Sequence, residues 1–132
     1  MTLERIDPPE LARPTGFAHA VVGTGRTVFL AGQTGMDRGG RIVPGGVVAQ
    51  FEQALQNLLT ALRAAGGGPE HLAQLTIYLV DIEDYQSHAR EIGAVWRRLV
   101  GSRYPATAGI GVARLWDREA LVELQGCAVL SP

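Results

Sequence analysis

Phe51, Leu55, Leu58, Leu59 and Leu62 recur at spacings of four, three, one and three residues, which sets all five on one stripe of a helix. A stripe that wide has to be buried, so the chain is committed to a helix layer packed on a second layer. The spacing predicts a helix from near Val47, stopped by the glycines at 66–68, because glycine enters the left-handed backbone that ends a helix with little penalty.

The flanking sequence supplies the second layer. After Pro69, LAQLTIYLV (72–80) reads as a strand, the acidic DIED as a turn, and residues 85–100 as a second helix with Ala89, Ile92, Trp96 and Leu99 on its stripe. Upstream, residues 17–22 and 27–31 are short apolar runs separated by GTGR (23–26), a hairpin signal that predicts antiparallel pairing. Residues 32–46 hold six glycines and a proline and are expected to be a loop; residues 1–16, with Pro8, Pro9 and Pro14, are expected to be an irregular lead-in. YPATAGIGVARL (104–115) is a strand entered through a proline. WDRE (116–119) turns the chain, and residues 120–130 return to close a hairpin.

The order is therefore ββαβαββ. Each strand-helix-strand passage is long enough for a crossover, so the expected fold is α+β: one mixed sheet with both helices on one face. At 132 residues the whole chain, 1–132, fits a single domain. The strands are apolar on both parities, with Ile110, Val112, Leu121 and Val129 on one and Val122, Leu124 and Leu130 on the other. Two helices cover only one face, so the other is expected to be covered by further copies of the chain.

All twelve basic residues are arginine. Without lysine, Schiff-base chemistry, a lysine-bound pyridoxal cofactor and a Walker-type phosphate loop are excluded. A formal charge of -1 supplies no global field to hold a polyanion, so nucleic acid is not an expected partner. Cys127 is the single cysteine, which rules out an intramolecular disulfide and suits a reducing compartment. The N-terminal MTLERIDPPE has no basic-then-apolar run, and no segment approaches the roughly 20 apolar residues of a membrane span. A cytoplasmic protein with no membrane association is expected.

Among candidate reactive groups, Glu123 stands out. A carboxylate between Val122 and Leu124 in an apolar strand is costly to bury unless something pairs with it, and burial would raise its pKa toward a range useful for general acid or base work. The competing reading is a carboxylate paired with an arginine at an interface. His19, His71 and His88 lack ligand-like spacing, so no metal is expected. Ser87 and Ser102 lack a nucleophile elbow, Cys127 has the setting of a buried structural cysteine, and Arg97 and Arg98 read as a solvated helix flank.

FLAGQTG (29–35), AQFEQALQNLLTALRAAGGGPEHLAQLTIYLVDIEDY (49–85), YPATAGIGVARL and VELQGCAV (122–129), in this order, resemble the Rid family (reactive intermediate deaminase, also called YjgF) over nearly the whole chain. The resemblance implies a chorismate-mutase-like homotrimer with small-molecule clefts between subunits and no cofactor. Its deaminating members hydrolyse enamines and imines. In them an arginine after Pro-Ala clamps the substrate carboxylate, and a glutamate in the last strand helps handle protons and water. Here Glu123 matches the glutamate, whereas Thr107 stands at the arginine position. The resemblance places Phe17, Gln33, Thr107, Gly109 and Arg114 along the substrate cleft. Phe17 falls where a tyrosine is common, and Gln125 where many members carry a second acid.

A guanidinium grips a carboxylate through two charge-assisted hydrogen bonds; a threonine has one neutral donor. Ordinary imino-acid deamination is therefore not the expected activity. Three readings follow. In the first, Glu123 performs acid-base chemistry on an imine, enamine or related reactive intermediate that is held differently. In the second, the chain is a non-catalytic small-molecule binder or partner protein. In the third, which neutral charge and the lack of an aromatic platform disfavour, it is an endoribonuclease.

Overall fold

The computed structural model describes residues 3–132. It contains β1 (Leu3–Ile6), β2 (Ala20–Gly23), β3 (Arg26–Thr34), α1 (Gly46–Ala64), a 3-10 turn (Pro69–His71), β4 (Leu72–Leu79), α2 (Ile82–Ser87), α3 (Ala89–Leu99), β5 (Ala106–Gly111) and β6 (Val122–Leu130). α1 begins after Gly45, at φ 113°, and its last carbonyls are closed by Gly66, at φ 97°. Phe51, Leu55, Leu58, Leu59 and Leu62 are each at most 1% exposed. Burying such a side chain contributes about 1.5–3 kcal/mol, so the stripe, more than intrinsic propensity, holds α1 in place.

The main sheet has the order β3-β6-β4-β5, with β6 antiparallel to both neighbours and β4 parallel to β5. The mixed sheet with its helices on one face is as expected, but two pairings differ. β2 pairs with β1 in a separate two-stranded sheet, not with β3, and β6 inserts between β3 and β4 instead of closing a hairpin with β5. A short turn signal fixes where the chain reverses, not which edge each strand finds, and β6 has apolar residues to bury on the helix side between two partners. Val122, Leu124, Ala128 and Leu130 are no more than 3% exposed.

Local boundaries shift for physical reasons. The lead-in is not wholly irregular: Leu3 is 2% exposed in β1, whose partner lies too far along the chain for a turn to announce it. Phe17 and His19 lie outside the strands, and Ala18 makes an isolated parallel bridge to Ala106. DIED is not a turn but a helix start, because the Asp81 carboxylate accepts the Asp84 backbone N–H at 3.0 Å as an N-cap. The second helix breaks at His88, with α3 running on from there.

Candidate functional site

Strand register divides the candidate residues between the two faces of the sheet. Glu123 lies opposite Thr34 of β3 and Tyr78 of β4, and Tyr78 lies opposite Ile110 of β5. These residues face away from the helices, since their alternates Val122, Leu124 and Leu79 are buried in the core. Glu123 is half-buried on the central strand, and among the described residues its carboxylate has no ion-pair partner. It rests over Gly32, where an added Cβ would clash with a carboxylate oxygen. Beside it, the Tyr78 hydroxyl donates to Gln125 Oε1 at 3.2 Å. Cys127 is half-buried on this same face, not enclosed in the core as its sequence setting suggested.

Thr107 belongs to the opposite side. It lies opposite Leu75, which is 1% exposed beneath the helices, and lines a cavity of about 430 Å³ with Phe51, Tyr85, Ile92, Trp96 and Arg97. Ala89 and Gly93, one turn apart on α3, keep that wall low. Thr107 Oγ1 donates to the Pro105 carbonyl at 2.8 Å. That bond uses the hydroxyl's only hydrogen, so the position presents an acceptor to a ligand where a guanidinium would present donors. Burial pushes the Tyr85 phenol up to about 12, keeping it a neutral donor at the cavity wall. Arg98 pairs with Glu52 at 2.9 Å on the outer flank, but Arg97 rims the cavity instead of standing on a purely solvated face.

Of the other expected cleft residues, Phe17 meets Thr107 in a shallow groove at the β5 edge, with its ring edge-on to His19 at 5.1 Å. Gly109 is exposed on β5 opposite Ile77, with nothing within 4 Å of where a Cβ would stand. Gln33 follows a β-bulge in β3 and lies opposite Leu124, so it is Thr34 that shares the face of Glu123. Arg114 is turned onto its own loop, its guanidinium donating to the Leu115 and Trp116 carbonyls at 3.1 Å each. Within one chain, then, Glu123 stands apart from Thr107 and Phe17, with β4 and a change of face between Glu123 and Thr107, and Gln33 shares the face of Leu124 and not that of Glu123.

Two polar side chains of α1 hold this frame. Gln50, 5% exposed, donates to the Glu119 carbonyl at 3.1 Å and accepts the Leu121 N–H at 2.8 Å, fixing the entry to β6 two residues before Glu123. Asn57 donates to the Thr34 and Met36 carbonyls at 3.1 and 2.8 Å and fixes the end of β3. The available signal for Gln50 is a polar residue at a buried position of the α1 stripe. Each histidine ring is committed to local backbone: His19 to the Ala12 carbonyl, His71 to the Gly68 N–H and His88 to the Asp84 carbonyl. Among the described residues no group of three or more His, Cys, Asp or Glu is placed to hold a metal, and no helix is long and apolar enough to cross a membrane.

Residues 10–130 match the family model described as endoribonuclease L-PSP. The chain is 37% identical over 108 residues to the 2-iminobutanoate/2-iminopropanoate deaminase of Capra hircus, covering 81% of this chain and 75% of that protein. It is 31% identical over 125 residues to the RutC family protein UK114 of Drosophila melanogaster, covering 94% and 87%. Among solved structures, YyfB of Yersinia pestis, a Rid-family protein of unknown function, superposes with a TM-score of 0.88 at 32% identity, covering 98% of this chain and 100% of that one.

Proposed function

Because the chain belongs to the endoribonuclease L-PSP family, the Rid or YjgF proteins, we propose that it acts on an imine, enamine or related reactive intermediate in a cleft completed by a neighbouring copy of a homotrimer, with Glu123 handling the protons. The observation that carries this reading is the half-buried Glu123 carboxylate, without an ion-pair partner among the described residues, on the central strand of the face no helix covers. The deaminase-named relatives support imine chemistry. The separation of Thr107 from Glu123 within one chain supports a shared cleft, in which one copy presents its β5 edge to the open sheet face of the next.

In such a cleft, water attacks the imine carbon while Glu123 takes its proton, and the C=N electron pair moves to nitrogen. Return of that proton to the nitrogen gives a carbinolamine; its hydroxyl proton then passes to the nitrogen as the C–N bond breaks, so that imine and water become carbonyl compound and ammonia. A carboxylate in this role supplies about 10²- to 10⁴-fold. Thr107 leaves no bidentate carboxylate clamp at its position, and the groups facing the ligand there are an acceptor oxygen, the neutral Tyr85 phenol and, at the rim, Arg97. The same loss supports the second reading, a non-catalytic binder on the same scaffold.

Ammonia release from imines generated in situ, measured for the wild type and for Glu123→Gln, tests both. The proposal expects at least a 100-fold fall in kcat on substitution. An unchanged rate removes Glu123 from the chemistry, and no turnover across neutral and anionic imines favours the binder. Thr107→Arg is expected to add hydrolysis of carboxylate-bearing imines.

A further inference from the structure

A second cavity, of about 710 Å³, lies between the 8–16 segment, β1 and the entry to β5. Three arginines line it, Arg5, Arg13 and Arg103, with Asp7 as its one acidic residue. Asp7 Oδ1 already accepts the His19 N–H at 2.8 Å. Among the described residues none of the three arginines is ion-paired. Arg5 is held in place by Nε, which donates to the Tyr104 carbonyl at 2.8 Å and leaves its terminal nitrogens for another acceptor. Partial burial, and after it the neighbouring charge of Arg103, lower the Arg5 pKa. Arg5 and Arg103 also border an adjoining hollow whose one carboxylate, Glu70, is 69% exposed and stands 3.6 Å from His71. The larger cavity is also lined by Phe17, Leu11 and three prolines, together with Ser102 and Tyr104.

We infer that this cavity is a second binding site, for a small molecule that carries a phosphate-type dianion on a compact apolar or aromatic body. Three cations against one carboxylate leave a formal excess of two positive charges, which matches a dianion better than a monocarboxylate. Guanidinium forks fit the oxygens of a phosphate. The volume far exceeds a bare oxyanion, and the Phe17 and proline wall gives an organic body its contact surface. Phe17 is common to this site and to the groove beside Thr107, but Arg5, Arg13 and Arg103 have no part in the proposed chemistry at Glu123, so substitutions there test this site apart from turnover.

Calorimetric titration of the full chain at low ionic strength with phenyl phosphate, inorganic phosphate and benzoate tests the inference. Phenyl phosphate is expected to bind at least about 10-fold more tightly than either of the others. Arg13→Gln and Arg103→Gln are each expected to weaken it about 10-fold, the worth of one charge-assisted hydrogen bond. Arg63→Gln, which removes the same charge at the end of α1, is expected to leave it unchanged. Arg5 is left intact because it also holds the backbone at Tyr104. No phenyl phosphate binding, equal binding of benzoate, or indifference to both cavity substitutions would overturn the site. Equal binding of inorganic phosphate would overturn the organic body and assign the site to a free oxyanion.

Discussion

Phe29→Asp tests the assembly on which the proposed cleft depends. Phe29 is 81% exposed in β3, on the sheet face that also presents Ile110, at 42%, and that no helix covers. Full burial of a phenylalanine side chain contributes about 1.5–3 kcal/mol. With four-fifths of the residue open, covering it in a trimer is worth roughly 1.2–2.4 kcal/mol per protomer, or roughly 4–7 kcal/mol over three copies. That corresponds to about 10³- to 10⁵-fold in the association constant, and an aspartate adds the cost of dehydrating a charge in the interface. Within a single chain the substitution removes little, so the monomer's core should survive it. Sedimentation equilibrium at micromolar concentration should show a wild-type trimer and a Phe29→Asp monomer with an unchanged far-UV circular dichroism spectrum. A monomeric wild type, or a variant that assembles as tightly as the parent, would refute the reasoning and remove the neighbouring copy from the cleft.

Three further outcomes are expected. Gln50→Leu strands the Glu119 carbonyl and the Leu121 N–H at the entry to β6, and chemical denaturation should show a loss of about 1–3 kcal/mol. Leu58→Ala, at a position 0% exposed in the α1 stripe, should cost about 2–5 kcal/mol by the same measurement, and a loss below 1 kcal/mol would mean that the helix layer repacks freely. His88 is raised above 6.5 first by its hydrogen bond to the Asp84 carbonyl and then by the Asp84 and Glu91 carboxylates. A raised folded pKa contributes stability that is present below the unfolded value and is lost as pH rises through the folded one. His88→Gln should therefore lower Tm more at about pH 5 than at about pH 9, and equal effects at both would exclude the linkage.

Much of this molecule is legible in short stretches of its chain because the relevant physics is local. The α1 stripe declares itself through spacing alone, and the closing glycines mark its end. A carboxylate flanked by Val122 and Leu124 stands out in the sequence alone, and in the structure it is half-buried on the face away from the helices. The Asp81 cap is equally local, but an acidic cluster suits a turn as well as a helix start, and only the Asp84 N–H that it accepts distinguishes the two.

Other features depend on partners far apart in sequence. Whether β6 lies beside β5 or between β3 and β4 is decided by which arrangement buries Val122, Leu124, Ala128 and Leu130 under α1, and no turn signal encodes that choice. Sheet register then set Thr107 facing the helices and Glu123 facing away, since alternate residues of a strand point to opposite faces and a shift of one residue exchanges them. The gathering of Arg5, Arg13 and Arg103 around one hollow comes from docking the N-terminal segment against the entry to β5. Periodicity and capping act within a few residues and are written in the chain itself. Strand partnership, facing and charge convergence are properties of the packed whole, because their energies arise only when distant segments meet.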